Sequence, residues 1–327
     1  MNIPSRKMVA LAAIPAAALI LGCPKPKAAA PTGGGASPSG KISIAVIPKA
    51  TSHSYWLSVK AGADAAGRAA GVDIHWLGPS EETGITEQIN ILQSQVTSGV
   101  QGVVLAATDS HALIRPVQDA IAKGVKVVTV DSGLAEPISL CYIATDNVEG
   151  GRLAADALAK AIGGKGKVGV LAYLKGAASN DQREQGFNEE IRKYPGIRVV
   201  STLYTDSEAA KAGDQTTNML TANPDIAGIF AANEPNGVGA AGYLRQARLA
   251  GKVKMVAFDS SPDEINALKD GTIQALIVQN PYEMGFQGVN TVLKAIRGEP
   301  ITQKFIDSGV TVVTMQNLND PKVQKLV

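Results

Sequence analysis

Four polar side chains follow directly on short apolar, β-branched runs, and a fifth lies one loop beyond another. Asp131 follows Val125–Val130, Arg183 lies beyond Val168–Ala172, Asn233 follows Ile229–Ala232, Asp259 follows Lys254–Phe258 and Gln279 follows Ile273–Val278. A sixth run, Ile42–Ile47, leads into a polar loop carrying Lys49, His53 and two adjacent aromatics, Tyr55 and Trp56. Carboxylate, guanidinium and amide groups each make paired in-plane hydrogen bonds, a geometry suited to neighbouring hydroxyls. Aromatic faces suit the C–H face of a sugar ring. The set points to recognition of a neutral, polyhydroxylated small molecule. Taken singly, each position has a plainer explanation, because Asp, Asn and Ser also cap helices; Asn233 before Glu234-Pro235 fits an N-cap well.

The elements that must hold these groups alternate regularly. Nine strand-like runs between Ile42 and Val278 are separated by amphipathic segments, among them Leu57–Ala70, Gly151–Ile162, Gln182–Lys193 and Glu283–Ile296. Strands alternating with helices of this length predict βαβ units, a parallel sheet and right-handed crossovers. Continuous apolar runs such as Val125–Val130 fit strands buried on both faces. A Gly/Asp/Asn-rich passage, Thr145–Gly151, divides the series, and a similar set restarts beyond it. Two sheets are therefore expected, with ligands bound beyond the carboxyl ends of their strands.

Composition sets the frame for this reading. The chain has 327 residues, 45% of them hydrophobic, and a formal net charge of +2, which argues against a protein that lives on nucleic-acid phosphates. Residues 1–40 hold four cations (Arg6, Lys7, Lys25, Lys27) and no acid, so the body from Lys41 carries 27 cations against 29 acids. Arg6 and Lys7 precede an apolar run from Met8 to Leu21, the pattern of a signal peptide over residues 1–22, too short for a comfortable membrane span. Ile20-Leu21-Gly22-Cys23 resembles a bacterial lipobox, which implies lipidation of Cys23 and export to the cell envelope. Residues 23–40 read as a flexible tether, and two or more acyl chains would anchor it stably. Cys141 then has no partner and is expected to be a buried, inert thiol. No Cys/His cluster has metal-ligand spacing, and no cofactor or metal is expected.

Five motifs carry a resemblance over Lys41–Val327: Ala144-Thr-Asp-Asn-Val-Glu-Gly-Gly151, Arg183-Glu-Gln-Gly-Phe187, Ile229-Phe-Ala-Ala-Asn233, Val256-Ala-Phe-Asp-Ser-Ser-Pro-Asp263 and Ile277-Val-Gln-Asn-Pro281. Together they resemble the bacterial periplasmic monosaccharide-binding proteins of the ribose/galactose type, which feed ABC importers. The resemblance implies an α/β fold of two doubly wound parallel-sheet lobes joined by three crossovers, the type I periplasmic binding protein fold that LacI-type regulators share. The N-terminal lobe would comprise residues 41–145 and 281–308, and the C-terminal lobe residues 146–280 and 309–327. It also implies a monosaccharide held between the lobes by Asp131, Arg183, Asn233, Asp259 and Gln279. Tyr55 and Trp56 would stack on it, and Lys49 and His53 would add polar contacts. Partners would be an ABC permease and ATPase, with the binding protein a monomer that closes on its ligand.

Where ribose binders carry an Arg after the strand-end Asp, this chain has Ser132, and Ser207 falls where a third aromatic is expected. Ribose itself is thus not implied. Arg183 is expected to neutralise Asp131 or Asp259. An alternative role is a sensory lipoprotein presenting a sugar, polyol or signal molecule to a membrane receptor. A sugar-modifying enzyme would need a nucleophile with a positioned base, and no G-x-S-x-G, H-E-x-x-H or P-loop is present. Gly237-Val-Gly-Ala-Ala-Gly242 matches the dinucleotide fingerprint in letters, with Asp259 twenty residues beyond Gly239. Asn233–Asn236 separates it from the strand, however, and Pro235 suits a first helical turn, which places the glycines inside a helix.

Overall fold

A computed structural model describes residues 41–327. The signal peptide, Cys23 and the tether lie outside the described residues. In chain order the elements are β1 (Ser43–Ile47), α1 (Ser54–Ala70), β2 (Asp73–Trp76), α2 (Ile85–Thr97), β3 (Gly102–Leu105), α3 (Ile114–Ala122), β4 (Lys126–Val130) and β5 (Tyr142–Ala144). Next come α4 (Asn147–Ala161), β6 (Gly166–Ala172), α5 (Ala178–Ile191), β7 (Ile197–Tyr204), α6 (Ala209–Ala222), β8 (Ile226–Ala231) and α7 (Glu234–Gln246). The last are β9 (Lys254–Phe258), α8 (Pro262–Lys269), β10 (Ala275–Val278), α9 (Pro281–Ile296), β11 (Phe305–Asp307) and β12 (Thr311–Val313).

The strands form two six-stranded sheets, ordered β11-β5-β4-β3-β1-β2 and β12-β10-β9-β8-β6-β7. Each thus carries the doubly wound order 2-1-3-4-5, extended by one short strand, and each has its switch point beside its first strand. The chain passes between the sheets three times: after β5 at Thr145-Asp146, after β10 at Gln279-Asn280, and between β11 and β12.

Strand residues alternate between two apolar clusters, as a period of two requires when both faces are covered. In β1, Ile44 and Val46 pack with α1 and α9, while Ala45 and Ile47 face α2 and α3. In the second sheet Leu171, Ile229, Met255 and Leu276 pack toward α6, α7 and α8. Val170, Phe230, Val256 and Ile277 pack toward α4 and α5 on the opposite face. Full burial of a Val, Leu, Ile or Phe side chain contributes about 1.5–3 kcal/mol, so these four layers hold the framework that fixes the strand ends.

Three details differ from the sequence expectation. The second sheet is not purely parallel, because β12 runs antiparallel to β10 through Leu276–Val313 and its neighbours. β5, β11 and β12 each have three residues, too few for a period of two to stand out. Finally, α1 begins three residues, and α4 and α5 each four residues, earlier than their apolar periodicity suggested, so Tyr55 and Trp56 stand on the first turn of α1 rather than in a loop. The G-x-G-x-x-G run lies wholly within α7, where a side chain at Gly237 would meet Glu264 and one at Gly239 would meet the Ala209 carbonyl. Those glycines serve helix packing.

Candidate functional site

Beyond the carboxyl ends of both sheets lies a pocket with an empty volume of about 270 Å³. Lys49, His53, Tyr55, Trp56, Asp131, Arg183, Asn233, Asp259 and Gln279 all line it. The first five come from the lobe of β1–β5; Arg183, Asn233 and Asp259 come from the other, and Gln279 stands on the segment that passes between them after β10. Glu82, Tyr173, Glu234 and Pro235 complete the wall.

Local backbone chemistry aims these groups. Asp131 and Asp259, directly after β4 and β9, both adopt left-handed conformations, with φ of 58° and 78°. Asp tolerates this region better than most residues, because its short side chain bonds locally. Each strand therefore ends in a sharp turn that directs a carboxylate into the cleft. Arg183 is set by the crossing of α4 and α5. A side chain at Gly151 would approach the Arg183 carbonyl to 2.3 Å, and one at Gly186 would approach the Val148 carbonyl to 1.9 Å. The two bare backbones pack closely enough for Arg183 Nε to donate to Asn147 Oδ1 at 2.8 Å. Arg183 Nη1 donates to the Ala232 carbonyl at 2.7 Å, and the guanidinium lies over Phe258 with its carbon 3.9 Å from the ring centroid. A planar cation clamped at two of its nitrogens has its remaining fork fixed in direction.

Lys49, rather than Arg183, pairs with Asp131, while Asp259, the other carboxylate that the sequence reading offered Arg183, feels the Arg183 charge. Lys49 Nζ lies 3.1 Å from Asp131 Oδ2 and 3.8 Å from Glu82 Oε2, and it donates to Ser179 Oγ at 3.3 Å. Arg183 forms no ion pair within 4.0 Å among the described residues; it acts on Asp259 through space. Burial alone would lower the Lys49 pKa, but Asp131 and Glu82 outweigh it and hold it above its ordinary value. Burial pushes Asp259 up to about 6, against the opposing charge of Arg183 and the hydrogen bond from Gln279 Nε2 at 2.7 Å. Burial and the nearby Asp131 carboxylate raise Tyr55 well above the usual phenol range. It therefore stays protonated and donates to Asp131 Oδ1 at 2.7 Å.

The aromatic wall differs from expectation. Tyr55 and Trp56 meet edge to face, with centroids 5.0 Å apart and planes at 90°, and the Trp56 indole N–H donates to Glu82 Oε1 at 3.0 Å. The third aromatic is Tyr173, directly after β6; Ser207 instead accepts from Asn233 Nδ2 at 2.7 Å. Sequence reasoning also missed Glu82, in the loop after β2, and Glu234. Glu82 stands six residues beyond the end of β2, outside the reach of a strand-end reading.

Contacts across the cleft hold the lobes together. Glu234, the first residue of α7, accepts the backbone N–H groups of Ser54 at 3.1 Å and Tyr55 at 2.8 Å. Ser110 N–H donates to the Gly176 carbonyl at 2.9 Å, and the Lys49–Ser179 bond crosses as well. The pocket therefore lies between closed lobes. Three of its acceptors, Asp131 Oδ2, Gln279 Oε1 and Glu82 Oε2, are buried without a hydrogen-bond donor among the described residues. Lys49 stands beside Asp131 Oδ2 as a charge, off the hydrogen-bonding direction.

Two α/β lobes that enclose a small polar pocket at the ends of their strands define a solute-binding protein of the two-lobed, hinge-closing class. Residues 44–300 match the periplasmic binding protein domain, and the chain belongs to that family. It is 31% identical over 267 residues to the ribose import binding protein RbsB of Escherichia coli K12, covering 81% of this chain and 88% of that protein. A carbohydrate transporter solute-binding protein of Agrobacterium radiobacter, solved in complex with D-arabinose, superposes with a TM-score of 0.85 at 38% identity. The match covers 88% of this chain and 99% of that one. An ABC transporter solute-binding protein of Agrobacterium vitis with bound D-fucose also gives a TM-score of 0.85 at 38% identity, covering 87% and 99%.

Proposed function

We propose that this protein is the extracytoplasmic substrate-binding component of an ABC sugar importer, capturing one neutral monosaccharide between its lobes. The observation that carries this reading is the convergence of nine strand-end and helix-start residues, drawn from both lobes, on one buried pocket. The chemistry of the wall supports a neutral ligand. Four carboxylates (Glu82, Asp131, Glu234, Asp259) face two fixed cations (Lys49, Arg183), so an anionic ligand meets an excess of like charge. Acceptors without donors suit a molecule rich in hydroxyls.

A ligand that contacts both lobes stabilises the closed form by its differential affinity for it, and closure removes water from the hydrogen bonds. The closed form is what an ABC permease and its ATPase would recognise, and the binding protein acts as a monomer without catalysis of its own. The basic, apolar leader and Cys23 support export and lipid anchoring of this unit at the cell envelope. Membrane fractionation tests the anchor, because Cys23→Ser should move the protein to the soluble fraction. A thermal-shift panel of D-ribose, D-allose, D-arabinose, D-fucose and D-tagatose tests the ligand class. At least one should raise Tm in a concentration-dependent way. No shift with any of them, together with a shift from an amino acid or nucleoside, rejects the sugar reading.

A further inference from the structure

The Glu82 carboxylate is 4% exposed and lies on the wall of the pocket, yet it belongs to none of the strand-end positions that define the rest of the site. It is carried by the loop between β2 and α2. Oε1 accepts the Trp56 indole N–H at 3.0 Å, and His53 Nδ1 stands 3.9 Å away, beyond hydrogen-bond range. Oε2 accepts nothing among the described residues. Lys49 Nζ, at 3.8 Å from Oε2, supplies charge but not a hydrogen bond, and it stands closer to Asp131.

A buried carboxylate that served only to anchor Trp56 would be expected to have both oxygens satisfied, since an unmet buried acceptor is costly. Six buried side-chain atoms in the described chain lack a partner, and three of them belong to lining residues of this one pocket. Two of these residues, Asp131 and Gln279, already belong to the strand-end set. The third places an acceptor at the end of the pocket formed by His53, Trp56 and Lys49.

We infer that Glu82 is a specificity-determining residue. It accepts a hydrogen bond from one further hydroxyl of the bound sugar, at the corner nearest the start of α1. This inference rests on the reading of the pocket as a neutral-sugar site and adds a selection rule to it. The preferred sugar presents a hydroxyl donor at this corner, and an analogue lacking that hydroxyl leaves a buried carboxylate oxygen unpaired. Discrimination of that kind is steep, because the penalty falls on the wrong ligand rather than on the free protein.

The test is isothermal titration of wild type, Glu82→Gln and Glu82→Asp with D-ribose, D-allose, D-arabinose, D-fucose and D-tagatose. The monodeoxy derivatives of whichever sugar binds wild type most tightly complete the series. Apo Tm is recorded for each variant, and Glu82→Asp keeps the charge should the amide perturb folding. Glu82→Gln should weaken the tightest sugar about ten- to hundred-fold, the size of a hydrogen bond to a charged group. One monodeoxy derivative should bind wild type and variant equally, while the others lose as much as the parent; Glu82→Asp should give the same pattern with a smaller loss. An equal loss for every derivative would mean that Glu82 only positions Lys49 and Trp56 and would overturn the inference, as would no loss at all. If wild type binds none of the sugars, the neutral-sugar reading fails first, and this inference falls with it.

Discussion

Glu234 accepts the backbone N–H of Tyr55 at 2.8 Å from the opposite lobe. His53, the residue before α1, offers that helix no side-chain cap, so the cap is supplied across the cleft. The bond can exist only while the lobes are closed. It couples closure to the order of the helix turn that carries Tyr55 and Trp56. Glu234 is itself held in place, because its own N–H donates to Asp259 Oδ2 at 2.9 Å.

Glu234→Ala should therefore weaken the closed state. Loss of a helix cap costs about 1 kcal/mol, equivalent to about a five-fold rise in Kd for the bound sugar. Small-angle scattering of the ligand-free variant should show a larger mean radius of gyration than wild type. Unchanged affinity together with unchanged dimensions would remove the latch from this account.

Acidification should weaken binding through pH 6. Burial pushes Asp259 up to about 6 in the free protein, and under the proposed function a ligand hydroxyl would donate to its ionised form. Binding at lower pH then requires a proton to leave, so Kd should rise about ten-fold between pH 7 and pH 5. The sign for stability is opposite. The folded protein binds this proton more tightly than the unfolded chain, whose carboxyl titrates near 4, so this group's contribution to apo stability grows as pH falls from 6 toward 4 and is lost as pH rises through 6. Titration of Asp259→Asn across the same range should show weaker binding with no step near pH 6; a surviving step would assign it to another group.

Lys49→Met should destabilise the apo protein by about 3 kcal/mol or more, because it strands Asp131 and Glu82 in the interior without their shared cation. Asp131→Asn, which removes one of those charges and keeps a side chain suited to positive φ, should leave Tm close to wild type while abolishing sugar binding. Urea denaturation of the two variants separates these outcomes. Equal stability of Lys49→Met and wild type would contradict the ion-pair reading.

Gly186→Ala tests how Arg183 is positioned. The new methyl would lie 1.9 Å from the Val148 carbonyl, so α5 must move away from α4. A loss of about 1–3 kcal/mol in stability is expected, with sugar affinity falling as the Asn147–Arg183 bond lengthens. Wild-type affinity in a destabilised Gly186→Ala protein would show that Arg183 does not depend on this crossing.

Much of this molecule was legible before its structure. Strands buried on both faces announce themselves as continuous Val/Ile runs, and the residue ending each run must emerge where two such sheets face each other. That logic located Asp131, Asn233, Asp259 and Gln279. It was blind to relations that depend on how loops fold back. Tyr173 reads as one more apolar residue after β6, and nothing in the pair Glu81-Glu82 says which carboxylate turns inward; Glu82 is 4% exposed while Glu81 is exposed. Glu234 reads as the first turn of α7, and its partners lie 179 and 180 residues away in the chain. The exchange of Arg183 for Lys49 as the counter-ion of Asp131 has the same origin. Lys49 follows β1 and Arg183 stands on α5, and only the closed geometry decides which one reaches the carboxylate.

The central claim is that one neutral monosaccharide binds between the lobes through Asp131 and Arg183. Isothermal titration of the sugar panel into wild type, Asp131→Asn and Arg183→Ala tests it most directly. Saturable binding of at least one sugar at one site per chain, lost in both variants while each remains folded, is the predicted result. Binding that survives in either variant, or a wild-type protein that ignores every sugar and takes an amino acid or nucleoside instead, would contradict it.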